Sequence, residues 1–164
     1  MNEQNEHGPG RGPGPKVLTD GDLSALLSEQ VFGALAANKR SGHPHLSTVL
    51  YRWDPVERVA RISSTADRLK VRQLRNDPRA ALHVSSPDHM AYVVVEGTAE
   101  IAETTEPGDA AGRELLAMAL DVIDPAEQER FLQAQVADRR VVIRLRADRL
   151  YGMALDLPKE LQDA

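Results

Sequence analysis

The sequence predicts a mainly β (α+β) domain in which about six antiparallel strands close, or nearly close, into a barrel with helices at its periphery. Three observations carry this. Six separate stretches have strand-like composition, with apolar residues recurring at alternate positions in several, the pattern of strands with one buried face. They follow one another in hairpin-like succession, and helical stretches interrupt them at only three points, which argues against a parallel βαβ sheet. Gly97 interrupts the longest strand-like stretch, as a barrel corner or bulge requires.

The chain has 164 residues, enough for one domain with a single core. Residues 8–15 read GPGRGPGP, so residues 1–18 are expected to form a disordered Gly/Pro-rich tail. Its glycine spacing is no dinucleotide fingerprint, because no strand precedes it and no helix begins in it. The folded domain is expected over residues 19–157, followed by a polar tail over 158–164.

Thr19 or Asp20 can cap a first helix carrying Leu23, Leu26 and Leu27. A strand is predicted over Val31–Ala37, then a turn at Lys39-Arg40-Ser41-Gly42 and a strand over His45–Trp53 that Asp54-Pro55 ends. Val59–Ser63 is the next strand. Asp67–Asn76 reads as a helix with Leu69, Leu74 and Val71 inward, Asp67 as its cap, and Asp77-Pro78 closing it. Strands over Ala80–Ser85 and Tyr92–Glu103 flank a loop at Pro87. Two helical stretches, Glu106–Ile123 with Leu116, Leu120 and Ile123 on one face, and Pro125–Ala137, precede a last strand with Val141, Ile143 and Leu145 on one parity.

Composition excludes several functions. Aromatic residues are 4% of the chain, so the core must be aliphatic. A net charge of −5 argues against nonspecific nucleic-acid binding. The absence of cysteine removes disulfides, thiolate metal sites and cysteine nucleophiles, and fits a reducing compartment. No run of apolar residues is long enough for a membrane span, and residues 1–15 have no apolar signal core, so the expected location is cytoplasmic, off the membrane.

The chemistry concentrates in Ser63–Arg79, SSTADRLKVRQLRNDPR, a basic island in an acidic chain. It begins where a strand ends in Ser63, Ser64 and Thr65 and runs into a helix start, whose free N–H groups favour an anion. Arg68 can grip phosphate oxygens through its fork and Lys70 can add a compact charge. On residue types alone the commoner reading of Arg68, Arg72 and Arg75 is a solvated helix face.

Context adds to this. His43–Pro55, Arg68-Leu-Lys70, Leu74–Arg79, Tyr92–Gly97, Asp138–Val141 and Tyr151-Gly152 together resemble the pyridoxamine-phosphate-oxidase-like, FMN-binding split-barrel family, most closely its actinobacterial branch using the deazaflavin coenzyme F420. The resemblance covers about residues 20–153, in order. It implies a homodimer of six-stranded antiparallel split β-barrels with peripheral helices and cofactor sites at the interface. It implies that Arg68 and Lys70 hold the cofactor phosphate, that Ser63 and Ser64 lie beside the ribityl chain, and that the strand with His45, Thr48 and Val49 follows the ring. A polyglutamate tail would suit Lys39 or Arg40 at the site mouth. The implied function is F420H2-dependent hydride transfer to a small conjugated substrate, with FMN as alternative cofactor, or non-catalytic binding of a cofactor or tetrapyrrole such as haem. True pyridoxamine-phosphate oxidases carry a longer C-terminal segment for substrate phosphate, so that reaction is not expected.

No catalytic residue is nominated, since a deazaflavin brings its own hydride chemistry. His43, His45, His83 and His89 form no credible metal set, because Pro44 disturbs the strand and no acid completes it. No nucleophile elbow exists. Tyr92 and Tyr151 are expected as half-buried strand residues.

Overall fold

The computed structural model describes residues 14–155. Seven strands, β1 (Pro15–Val17), β2 (Phe32–Asn38), β3 (Pro44–Asp54), β4 (Val59–Thr65), β5 (Arg79–Ser85), β6 (Ala91–Glu103) and β7 (Arg140–Leu155), accompany four helices. These are α1 (Asp20–Glu29), α2 (Leu69–Asn76), α3 (Ala110–Ala119) and α4 (Gln128–Ala137). The strand order β7-β4-β3-β2-β5-β6 closes through β6–β7 pairing into a six-stranded antiparallel barrel. β1 adds to the end of β7, Pro15 opposite Leu155. Residues 1–13 of the expected N-terminal tail, and the expected polar tail at 158–164, lie outside the described residues. Pro15–Val17, expected in that tail, forms a strand because the far end of β7 offers it a free edge.

Alternation along the strands builds the core. Leu35, Tyr51, Ile62, Leu82, Val84, Val93, Val95, Val141, Ile143 and Leu145 point inward and are buried. Leu27 of α1 and Val71 and Leu74 of α2 join them. Thr19 caps α1 as expected, its hydroxyl accepting from Asp22 N–H while the Asp22 carboxylate accepts from Thr19 N–H. The buried Tyr51 hydroxyl donates to the Leu27 carbonyl at 2.7 Å, which fastens the last turn of α1 to the barrel. Burial pushes this phenol well above its ordinary pKa.

The interruption at Gly97 is a bulge. The β6–β7 register shifts between Glu96 and Gly97, leaving Asp148 as the extra residue of β7. A Cβ at Gly97 would lie 1.8 Å from the Arg146 carbonyl oxygen, so no other residue fits. β7 runs to Leu155, paired with β6 on both sides of the bulge, and the bulge breaks the alternation, so its second half was not legible in sequence.

Three helix expectations are corrected. α2 begins at Leu69 with Arg68 as its extended N-cap, because Asp67 is turned to accept from Thr65 Oγ at 2.7 Å. Leu69 is exposed, while Val71 and Leu74 face the core. α3 ends at Ala119, so Leu120 leaves the predicted face and is exposed, and Ala111, Gly112 and Leu115 pack instead. α3 is fastened to the outer surface by Glu114, which accepts from Arg61 Nε at 3.1 Å and Arg144 Nε at 3.0 Å. No helix among the described residues is long and apolar enough to cross a membrane.

Candidate functional site

The barrel wall parts between β3 and β4. These strands pair only where Tyr51–Asp54 meets Val59–Ile62. Earlier in β3, Pro44–Leu50 pairs with β2 alone, and later in β4, Ser63–Thr65 pairs with β7 alone. Two strand edges therefore flank a wedge with backbone N–H and C=O groups that no strand partner takes up. α2 follows directly from the β4 side of this wedge.

The predicted site residues distribute around the split. Thr48 is exposed on the outer face of β3, and Val49 is turned inward into the core, so Val49 can offer a ligand only its main chain. Ser63 is half-buried on the outer parity of β4, and Ser64 is buried on the inner. Period-two alternation separates each neighbouring pair. His45 lies on the inner parity of β3, and its Nδ1 is 2.8 Å from Gln73 Oε1, so the ring donates to α2 from that nitrogen.

Arg68 and Lys70 stand at the wedge where β4 turns into α2. Arg68 is exposed and makes no capping bond with its side chain. Lys70 is half-buried; burial first, then the Arg68 charge, depresses its ammonium pKa. No carboxylate among the described residues pairs with either, whereas Arg75 meets Glu103 at 3.1 Å and Arg79 meets Asp77 at 2.7 Å. Asp67 makes no ion pair with either: its carboxylate accepts from the Thr65 hydroxyl, which heads the causes holding it below the usual range, and the Arg68 and Arg139 charges lower it further. Two like charges with no carboxylate in ion-pair contact suit an anionic ligand.

A groove of about 490 Å³ lies between the β2–β3 turn and α2. Lys39, Arg40 and Arg72 line it with Asn38, Leu69, Gln73 and Asn76, and no carboxylate. Arg40 Nε donates to Asn76 Oδ1 at 3.3 Å, which holds the turn against the helix. Sequence reasoning gave no role to Gln73, Arg72 or Arg140. Arg72 was legible only as one of several helical cations, and Arg140 only as part of the Asp138–Val141 motif.

Beside the wedge, the outer face of β2 and β3 is apolar. Phe32 opposes Leu50, Ala34 opposes Thr48 and Ala36 opposes Leu46. Phe32, Leu46 and Leu50 are 61%, 65% and 52% exposed, too much apolar surface on one patch to be incidental. The histidines go separate ways: His83 stacks on Tyr92 with ring centres 5.4 Å apart, and His89 lies 3.0 Å from Ser85 Oγ. Among the described residues no three His, Asp or Glu side chains gather as a metal site. The geometry can hold a planar ligand bearing an anionic group, and it presents no paired acid and base.

The sequence matches the pyridoxamine 5'-phosphate oxidase family over residues 19–154. Among solved structures, the chain is similar to an F420 reductase, at 24% identity and a TM-score of 0.59, over 81% of this chain and 98% of that one. It is similar to a conserved hypothetical protein of Mycobacterium tuberculosis at 23% identity and a TM-score of 0.68, over 85% and 86%. A pyridoxamine 5'-phosphate oxidase-related, FMN-binding protein of Nostoc punctiforme matches at 13% identity and a TM-score of 0.59, over 80% and 78%. At these identities the structural matches establish the shared fold.

Proposed function

The chain belongs to the pyridoxamine 5'-phosphate oxidase-like split-barrel family, and from that premise we propose that it is a cytoplasmic, homodimeric F420H2-dependent oxidoreductase acting on a small conjugated substrate. The observation that carries the reading is the pair Arg68 and Lys70, which form no ion pair among the described residues, beside an unpaired wedge in the barrel wall. Arg68 and Lys70 bind the cofactor phosphate. Ser63 borders the ribityl chain from the outer face, and Ser64 supports it from the inner side and through its main chain. The free edge of β3 at Thr48 and Val49 orients the ring, and His45, fixed by Gln73, closes the end of that strand. When bound, the deazaflavin supplies two-electron hydride chemistry at its own ring carbon. The protein's part is to bind, orient and exclude water.

The groove with Lys39, Arg40 and Arg72 supports F420 in particular, because a polyglutamate tail needs cations beyond the phosphate anchor. The exposed Phe32, Leu46 and Leu50 support a homodimer, since a second copy would cover a patch that borders Thr48. FMN is the second reading, supported by an anchor that suits any ribityl phosphate and by the FMN-binding relative.

Titration with F420 and FMN, followed by absorbance, tests the reading. F420 should bind saturably, and Arg68→Ala with Lys70→Ala should weaken it about a hundredfold or more, as expected for two charge-assisted contacts. Unchanged affinity in the double variant rejects the anchor. Yellow protein that releases FMN on denaturation transfers the reading to FMN.

A further inference from the structure

We propose that Arg140 is a third cation of this anchor, reaching the ligand's anionic group from β7; the inference rests on the Arg68–Lys70 reading. Arg140 opens β7, and its Cα lies opposite Thr65, the last residue of β4 before the turn to Arg68. The outward parity of β4 carries Ser63 and Thr65, and their β7 partners are Val142 and Arg140. The main chain ties the corner, since Ala66 N–H donates to the Arg139 carbonyl at 2.9 Å and Arg68 N–H to the Thr65 carbonyl at 3.1 Å. Arg140 thus stands across one strand spacing from the segment that carries Arg68 and Lys70.

Its side chain is the unusual feature. Arg140 is half-buried, and its Nε is a fully buried donor with no acceptor. Arg144 and Arg146 on the same strand behave otherwise: Arg144 meets Glu100 at 2.7 Å and also Glu114, and Arg146 lies 3.6 Å from Glu100. Arg139 is turned to Glu103 at 3.3 Å. Glu103, opposite the next residue of β7, is held by Arg75 and Arg139, and Asp67 accepts from the Thr65 hydroxyl. A buried donor without an acceptor is costly and calls for a partner from outside the chain, an ordered water or a bound group. With Arg68 and Lys70 alongside, that partner is an anionic oxygen, a phosphate rather than an uncharged ring substituent.

The test compares phosphorylated and phosphate-free forms of the same ring, FMN against riboflavin and F420 against its phosphate-free deazaflavin core. Arg140→Met should weaken the phosphorylated ligand that the wild type binds about ten- to hundredfold, while its phosphate-free form binds as before. Arg140→Lys should recover part of the loss, and it serves as the assay should the methionine variant fold poorly. Wild-type affinity in both Arg140 variants, with the Arg68/Lys70 double variant still weakened, overturns the role of Arg140 and leaves the anchor standing. Equal loss for phosphorylated and phosphate-free ligands also overturns it, because a purely structural arginine would act on both. Undiminished binding in the Arg68/Lys70 double variant, or a wild type that binds neither cofactor, removes the anchor and this inference together.

Discussion

On the closed wall, Arg61 and Arg144 converge on Glu114 and are met further by Asp54 at 3.2 Å and Glu100 at 2.7 Å. At the split, Arg68 and Lys70, and Arg140 one strand away, make no ion pair with a carboxylate among the described residues. The backbone repeats the contrast. β6 and β7 pair from Ala91 to Glu103 with one bulge, whereas β3 and β4 separate after a few residues. Where charge and main chain are satisfied internally, the wall can be structural and needs no partner. Where both are left open, the proposed ligand, bearing an anion and hydrogen-bonding edges, would complete them.

The largest effect should come from breaking the closed wall at its bulge. Gly97→Ala drives a methyl group into the Arg146 carbonyl, and its cost is expected at about 4 kcal/mol or more, read as the urea midpoint. A variant with unchanged stability would mean that the bulge is not the rigid corner described above.

Glu114→Gln sharpens the contrast at intermediate size. It leaves the mostly buried Arg61 and Arg144 short of a counter-ion and should cost about 1–3 kcal/mol, with no change in ligand affinity. Burial alone would raise the Glu114 carboxyl, but hydrogen bonds and charge from Arg144 and Arg61 outweigh it and hold it below its ordinary value. Its stabilisation is therefore complete above about pH 4.5, the ordinary value, and is lost as pH falls through the depressed one. The variant should show a flatter loss of stability on acidification; an acid limb as steep as the wild type's would place the linkage elsewhere. Substitution of Arg68 and Lys70 should do the reverse, lowering affinity while leaving the melting temperature in place.

The smallest effect is expected at the point where the two walls meet. Tyr51 forms the last β3–β4 pair before the wedge, opposite Ile62, and its hydroxyl holds α1. Tyr51→Phe should cost about 1 kcal/mol by thermal or chemical melting. A neutral result would show that the Leu27 carbonyl finds another donor.

Much of the fold was legible because strand alternation and turn chemistry are local. The strands of the meander, a helix cap at Thr19 or Asp20, and a bulge or tight bend at Gly97 could be read from residue order alone. The misreadings arose where a side chain chose a tertiary partner. Asp67 looked like a cap and instead takes the Thr65 hydroxyl, which shifts the helix start to Leu69 and turns that leucine outward. Leu120 fits an apolar helix face, but α3 stops one residue before it. Pro15–Val17 has no strand signal of its own and is ordered by the edge of β7.

The site divides in the same way. By itself the sequence determined the alternating strands, the aliphatic core and the basic run around Arg68 and Lys70, because composition and spacing act between near neighbours. Only the tertiary structure decided which cations stay unpaired, since Arg61, Arg75 and Arg144 find carboxylates distant in the chain and Arg68, Lys70 and Arg140 do not. It alone placed Thr65 opposite Arg140 and opened the wall beside Thr48. Ion pairing and strand divergence depend on contacts between remote segments, and such contacts have no signature in the local order of residues.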